Sequence, residues 1–466
     1  MKATHAARRA VSHRYLLPLA LAVALVMAMP AKADSVTDWN GIAASPQVLA
    51  RFGAPQFQFR AMAIVQVAVH DALNTIQPRY QTYDNLPAAA AGASPDAAVA
   101  AATRTALLGL FSALAPAPNQ PEADARAAAI AMINNEYAAR IAALGGAGVA
   151  DGIAAGEAAA RSCLLQRHTY DPIADKYTTN DGAQAAHSVP YTLAAASGVH
   201  QPTPAPEFPA VTLPLFTGWK NVALFSLNSA SQFRAPWSQL FDLSSQFYAN
   251  QYNEVKHLGD ARVRGAFPNS QQTDIARFWP AGGLDWNANI RVIVQGRGLD
   301  RWQHARLFAL ANMSVHDSGV TNQESKYYWH FWRPVTAIRW LDDGNPDTQS
   351  DPFWRPFMQT PPYPDYPCGS TSVTGAVTQT LRNFFGTNAI GFSRTVSAPA
   401  VPLPAPMTAL ATKTITRKYN SLSIAENEQA RARVYEGFHF AEGCYVGLKS
   451  ANQVANWVYT HELRAL

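Results

Sequence analysis

This sequence predicts an all-α protein made of two four-helix-bundle-like halves packed together, with long proline-rich loops. Three observations carry the prediction. Four alanine-rich stretches with apolar residues at helical spacing fill the first half, almost without an alternating β-branched pattern. The second half holds at least four more such stretches, richer in aromatic residues. The segments between them are crowded with Pro, Asp, Ser and Gly, which suits loops rather than strands.

The elements follow in order. Lys2, Arg8, Arg9 and Arg14, without an acid, precede an apolar run over 16–29 and the small-x-small pattern Ala31-Lys32-Ala33. This is the pattern of a secretory signal peptide cleaved before Asp34, and the run is short for the ~20 residues of a membrane span. Residues 1–33 are expected to be removed and the protein to be secreted or periplasmic. Over 47–76 the residues Ala61, Ile64, Val67, Ala68, Ala72 and Leu73 share a helical face, stopped by Pro78. Ser94 caps and Pro95 opens a helix running through 97–114. Further helices are expected over 121–144, closed by Gly145-Gly146, and over 149–166. Alanine gives them high propensity and close interfaces. Residues 170–214 read as a long irregular connector. The halves are therefore 34–215 and 216–466.

In the second half, helices are expected over 244–257, 271–278, 286–295, 370–385, 423–435 and 443–463, with a stronger pair at 300–317 and 322–340. Residues 342–367 and 393–407 read as loops. Ala68-Val-His70-Asp71 is echoed by Ser314-Val-His316-Asp317, which suggests that the two bundles are related.

The formal net charge is +5, and residues 1–33 hold five basic residues and no acid, so the mature chain is neutral. That leaves no electrostatic case for nucleic acid or an anionic membrane as partner. No later stretch is apolar for long enough to span a bilayer. The three cysteines, Cys163, Cys368 and Cys444, allow one disulfide and one free thiol in an oxidising compartment. Cys163 sits in an alanine-rich helix and reads as a small buried residue.

Three segments carry chemistry. Lys326 and Arg333 are seven residues apart, about two turns on a helix, so both are expected on one face. Tyr363-Pro-Asp-Tyr-Pro-Cys368-Gly369-Ser370 ends a stiff run and opens a helix whose first N–H groups suit an anion. Arg433 and His439 are six apart, with Gly437 letting the helix end and His439 turn back. Taken singly, each is an ordinary amphipathic face, N-cap or core histidine. Together they supply three cations, free N–H donors and one imidazole, a site for a tetrahedral oxyanion.

In order and spacing these segments resemble the three-part signature of the vanadium-dependent haloperoxidase and type 2 phosphatidic acid phosphatase superfamily. Pro362 to Pro367 looks like the segment before the second motif of vanadium chloroperoxidases, and residues 55–80 look like the opening helix of bacterial haloperoxidase-like proteins. The resemblance implies that Lys326, Arg333, Cys368, Gly369, Ser370, Arg433 and His439 hold vanadate, or phosphate in the same site. His439 would be the axial vanadium ligand, or the nucleophile of a phosphatase, with Lys326 and Ser370 beside it. Hydrogen peroxide and halide, or a phosphomonoester, would be the substrates; no membrane span is implied, and a homodimer is left open.

Two positions depart from the pattern. Ser370 stands where the family has a His acid/base, with His316 and His330 as replacements to weigh. Gly443, beside Glu442, stands where the family often has Asp. Tyr363 and Trp332 are expected to shape a halide site. Both Cys368 and Cys444 flank the implied site, so a Cys368–Cys444 disulfide is expected to protect the sulfur from oxidation. The resemblance thus leaves three readings: a haloperoxidase, a soluble acid phosphatase, and an oxyanion-binding protein impaired by Ser370.

Overall fold

Two long helices face each other at the centre of a computed structural model that describes residues 34–202 and 214–466. The expected signal peptide and part of the connector lie outside the described residues. The first half contains α1 (Ser35–Ala43), α2 (Pro46–Leu49), α3 (Pro55–Ile76), α4 (Pro95–Ser112), α5 (Gln120–Ala142) and α6 (Val149–Leu165). A hairpin of β1 (His168–Asp171) and β2 (Lys176–Thr179) follows. Then come α7 (Gln246–Leu258), α8 (Ala261–Ala266), α9 (Gln271–Phe278), α10 (Trp286–Val294), α11 (Arg301–Trp329) and α12 (Pro334–Arg339). The chain closes with α13 (Gly369–Phe385), the hairpin of β3 (Phe392–Ala398) and β4 (Lys413–Tyr419), α14 (Leu422–Tyr435) and α15 (Ala441–His461).

The central pair is α3 and α11. Helix α3 packs on α4 and α6, and α11 packs on α13 and α15, so each carries one helical bundle. The mostly helical, two-bundle architecture agrees with the sequence. Both central helices are buried along most of their length, which is why neither shows a clear polar stripe. The starts follow capping chemistry. Ser94 Oγ accepts from Ala97 N at 3.3 Å, and Asp300 with Gln303 forms a capping box on α11. Small residues let α13 and α15 touch: a Cβ on Gly447 would sit 2.6 Å from the Cys368 carbonyl.

The echoed His-Asp pairs do the same job in both bundles. Asp71 accepts from the backbone of Tyr83 and Asp84, and Asp317 from that of Phe225, Ser226 and Leu227. Each carboxylate pins a loop to its own long helix.

Three expectations need correction. Residues 300–317 and 322–340 are not a helical pair: α11 runs unbroken to Trp329, carried through Gly319 by the burial of Ser318, Val320 and Thr321 around it. His330 then takes a left-handed conformation (φ 53°) and stops it. The expected loop over 393–407 begins with β3, whose alternate residues Phe392, Val396 and Ala398 are buried against a partner strand beyond the prolines. The connector after 170 likewise begins inside a hairpin.

Candidate active site

The end of α11 sets the first cation. Lys326 is fully buried, and its Nζ donates to the carbonyls of Pro364 and Asp365, both at 2.8 Å. Burial, reinforced by the neighbouring Arg333 charge, pushes its pKa down to about 7. Because α11 stops at Trp329, Lys326 and Arg333 do not share a helical face as expected. Arg333 is the N-cap of α12, and a sharp reversal at His330 brings it back. The two cations still converge: Lys326 Nζ and the Arg333 guanidinium lie 5.2 and 5.1 Å from the Tyr363 ring centre.

Arg333 is held on several sides. Nε donates to the Tyr363 carbonyl and Nη1 to the Phe438 carbonyl, both at 2.8 Å. Nη1 lies 3.0 Å from His439 Nε2, while Nη2 is buried with no partner. Arg433, in the last turn of α14, pairs with the buried Glu436 at 2.8 Å, and its Nε also lacks a partner. Burial pushes the Glu436 carboxyl up to about 8 against the pull of Arg433. Gly437 (φ 86°) then turns the chain; a Cβ there would meet Pro356 Cα at 2.8 Å, so a side chain is excluded on both counts. That turn delivers His439, which is 2% exposed.

The second segment supplies backbone donors. Cys368 is the N-cap of α13 without a side-chain cap, and the N–H groups of Gly369, Ser370 and Thr371 have no acceptor among the described residues. Ser370 Oγ lies 3.2 Å from Cys368 Sγ and accepts from Gln429 Nε2 at 3.1 Å. Gly369, Ser370, Tyr363 and Arg433 line the inner end of a cavity of about 590 Å³. Its outer walls are largely apolar, with Leu49, Phe59 and Met62 from the first bundle facing Trp286, Ile290 and Val315.

The expected disulfide is absent. Cys368 and Cys444 are both free thiols, and their sulfurs lie with a ring nitrogen of His439 inside a 4.8 Å cluster. The sulfurs interact as thiols instead. Burial pushes both up, but the Cys444 contact and the charges of His439 and Arg433 bring Cys368 well below the usual thiol range, while Cys444 stays well above it.

Other assignments also move. Trp332 is fully buried against Trp340 and Phe331, because its side chain belongs to the core beside the reversal, so it does not line the cavity; Tyr363 does. His316 bonds the Ala223 carbonyl at 3.0 Å, and His330 lies 3.2 Å from the Tyr191 hydroxyl. Both point to other partners, so neither replaces the acid/base missing at Ser370. The carboxylate missing at Gly443 arrives from elsewhere in sequence. Asp365 Oδ1 lies 2.8 Å from His439 Nδ1, and a Cβ on Gly443 would sit 3.3 Å from Asp365 Oδ2. Asp365 and Glu436 are the two site residues the sequence reading missed. Glu436, three residues from Arg433, could have been found from helical spacing.

Residues 306–466 match the family model of the VCPO second helical-bundle domain. That match, about a third of the chain, likens this domain to the second bundle of vanadium chloroperoxidases. The chain is 40% identical over 91 residues to the vanadium chloroperoxidase of Curvularia inaequalis, a match covering 17% of this chain and only 14% of that relative. Solved vanadium haloperoxidases share the fold across nearly the whole chain. The first bacterial vanadium-dependent iodoperoxidase aligns with a TM-score of 0.64 at 21% identity, over 93% of this chain and 96% of its own. A holo-type bacterial vanadium-dependent chloroperoxidase aligns at 0.65 and 15% identity, over 92% and 97%. The site residues described above, apart from those on the cavity's outer wall, fall within the matched residues 306–466.

Proposed function

We propose that the protein is a vanadate-dependent haloperoxidase that oxidises halide with hydrogen peroxide, exported to the periplasm or beyond. The observation that supports this best is a pair of buried, unpartnered guanidinium N–H groups, Arg333 Nη2 and Arg433 Nε, on arginines of which Arg333 lies 3.0 Å from His439 Nε2. Unpartnered buried donors are costly unless something accepts from them. A tetrahedral oxyanion fits that need, and guanidinium forks match its edges.

Vanadate, when bound, supplies the Lewis acidity that makes a peroxide oxygen electrophilic toward halide. The protein does the rest. Arg333, Arg433, Lys326 and the first N–H groups of α13 hold the anion and stabilise charge as it develops. His439 would offer a ring nitrogen to the bound group, and Asp365 Oδ1, 2.8 Å from His439 Nδ1, would fix the orientation of its ring. The apolar cavity walls limit water at the inner end. Ser370 can donate a hydrogen bond but cannot take up a proton near neutral pH, so turnover is expected to be ~10²–10⁴-fold below that of a site with a positioned acid/base.

Purified protein loaded with orthovanadate is expected to brominate or iodinate a phenol in a peroxide-dependent way. No halogenation together with no vanadate uptake overturns the reading. The phosphatase alternative needs an acid positioned at its leaving alcohol, and Ser370 stands where the resemblance places that residue. Release of phosphate from an aryl phosphate at acidic pH would favour it. Tight binding of the anion without either reaction would favour a protein that only binds it.

A further inference from the structure

The sulfurs of Cys368 and Cys444 and one ring nitrogen of His439 all lie within 4.8 Å of one another. The three residues are 0, 0 and 2% exposed, and no disulfide joins the two thiols. We propose that this trio is a zinc site, and that Zn²⁺ bound there closes the oxyanion site by taking His439.

The donors decide the ion. Two thiol sulfurs and an imidazole are the ligands of zinc and other soft or borderline d¹⁰ ions, not of calcium or magnesium. Zinc holds sulfur at about 2.3 Å and nitrogen at about 2.0–2.1 Å, so tetrahedral donors stand about 3.5–3.8 Å apart. The cluster needs only small side-chain adjustments to reach that. The support behind the imidazole is also in place. Asp365 Oδ1 sits 2.8 Å from His439 Nδ1, the carboxylate–histidine arrangement that orients a metal-bound ring and leaves Nε2 for the ion. Ser370 Oγ lies 3.2 Å from Cys368 Sγ, a further oxygen donor beside the trio.

Charge is the obvious objection, since Lys326, Arg333 and Arg433 surround the site. The balance meets most of it. Cys368, well below the usual thiol range, binds as the thiolate it already is, and Cys444 releases its proton, so the dication arrives as one proton leaves and the buried group gains one positive charge beside the Asp365 carboxylate. No electrons are transferred. Arg333 Nη1, 3.0 Å from His439 Nε2, has to move aside, and Asp365 Oδ1, already 3.6 Å away, is its partner when it does. With His439 held by zinc and Arg333 drawn toward Asp365, an oxyanion would lose the His439 nitrogen and one of its guanidinium partners.

The test uses reduced full-length protein free of vanadate and phosphate. Titration with Zn²⁺ against a chromophoric chelator is expected to give one tight site per chain. Co²⁺ as a probe is expected to show a thiolate charge-transfer band that Zn²⁺ abolishes. Cys444→Ser is expected to weaken zinc by at least ~100-fold, and Asp365→Asn by ~10–100-fold. Cys444→Ser is expected still to bind inorganic phosphate. In the wild type, zinc is expected to slow alkylation of Cys368 and Cys444 and to expel inorganic phosphate. No charge-transfer band, equal zinc affinity in Cys444→Ser, or thiols alkylated at the same rate with zinc would each overturn the site. Phosphate binding unchanged by saturating zinc would overturn the closure. Zinc uptake is measured without halide, peroxide or vanadate, so its failure is distinguishable from failure of the haloperoxidase reading.

Discussion

Lys326 is the site cation whose charge responds to pH inside the working range. Burial and Arg333 lower its pKa to about 7, and a bound anion favours the charged form. Binding of sulfate, which does not itself titrate near neutrality, is therefore expected to weaken as pH rises through about 7 and to take up a proton there. Calorimetry in buffers of different ionisation enthalpy checks this, and Lys326→Met should remove the pH dependence. Ser370 is the other informative residue. Ser370→His is expected to raise peroxide-dependent halide oxidation by ~10²–10⁴-fold with little change in vanadate affinity, read as kcat against the vanadate dissociation constant. The cations, Gly369 and His439 were picked out in the sequence by the order and spacing of three short segments, each ordinary alone but together resembling a known signature. Asp365 was not. Its partner His439 is far away in the chain, and only the fold brings them together.

At the scale of elements, the helices were legible because their starts and stops are local. Ser94, Asp300 and Gly386 cap as their chemistry directs. Helix α11 was misread because burial on all sides erases the polar stripe that marks a helix's extent. The β3–β4 hairpin was missed because its two strands are separated by a proline-rich loop, so pairing is the signal and pairing is not local. The α13–α15 crossing is where element packing sets site geometry. Gly447 lies against the Cys368 carbonyl, and Gly375 against that of Leu448. Gly447→Val is expected to cost about 1–3 kcal/mol or more in urea unfolding and to weaken oxyanion binding, because the backbone that opens α13 must shift.

The whole molecule carries an acid liability. Burial lowers His168 to about 4 and His200 and His316 to about 3. A histidine depressed in the folded state stabilises fully above its unfolded pKa of about 6.5, and that stability is lost as pH falls toward the folded value. At pH 5 each of these three costs about 2 kcal/mol. Asp317, raised by burial to about 6, and Glu436, raised to about 8, work in the opposite direction, each gaining stability as pH falls toward its unfolded value. Together they offset about 4 kcal/mol between pH 7 and 5, which leaves a net loss of about 2 kcal/mol. Urea midpoints at pH 7 and 5 measure it, and His316→Gln should flatten the difference.

The cavity wall divides labour between the bundles. The groups proposed to hold the anion all come from residues after 320, whereas Leu49, Phe59 and Met62 of the first bundle line the cavity with Trp286, Ile290 and Val315. Chemistry and admission are thus written in separate stretches of the chain and can change independently. Met62→Trp is expected to raise KM for a bulky organic acceptor several-fold while leaving iodide oxidation untouched. A lineage could redirect such a catalyst to new customers by editing its entrance alone.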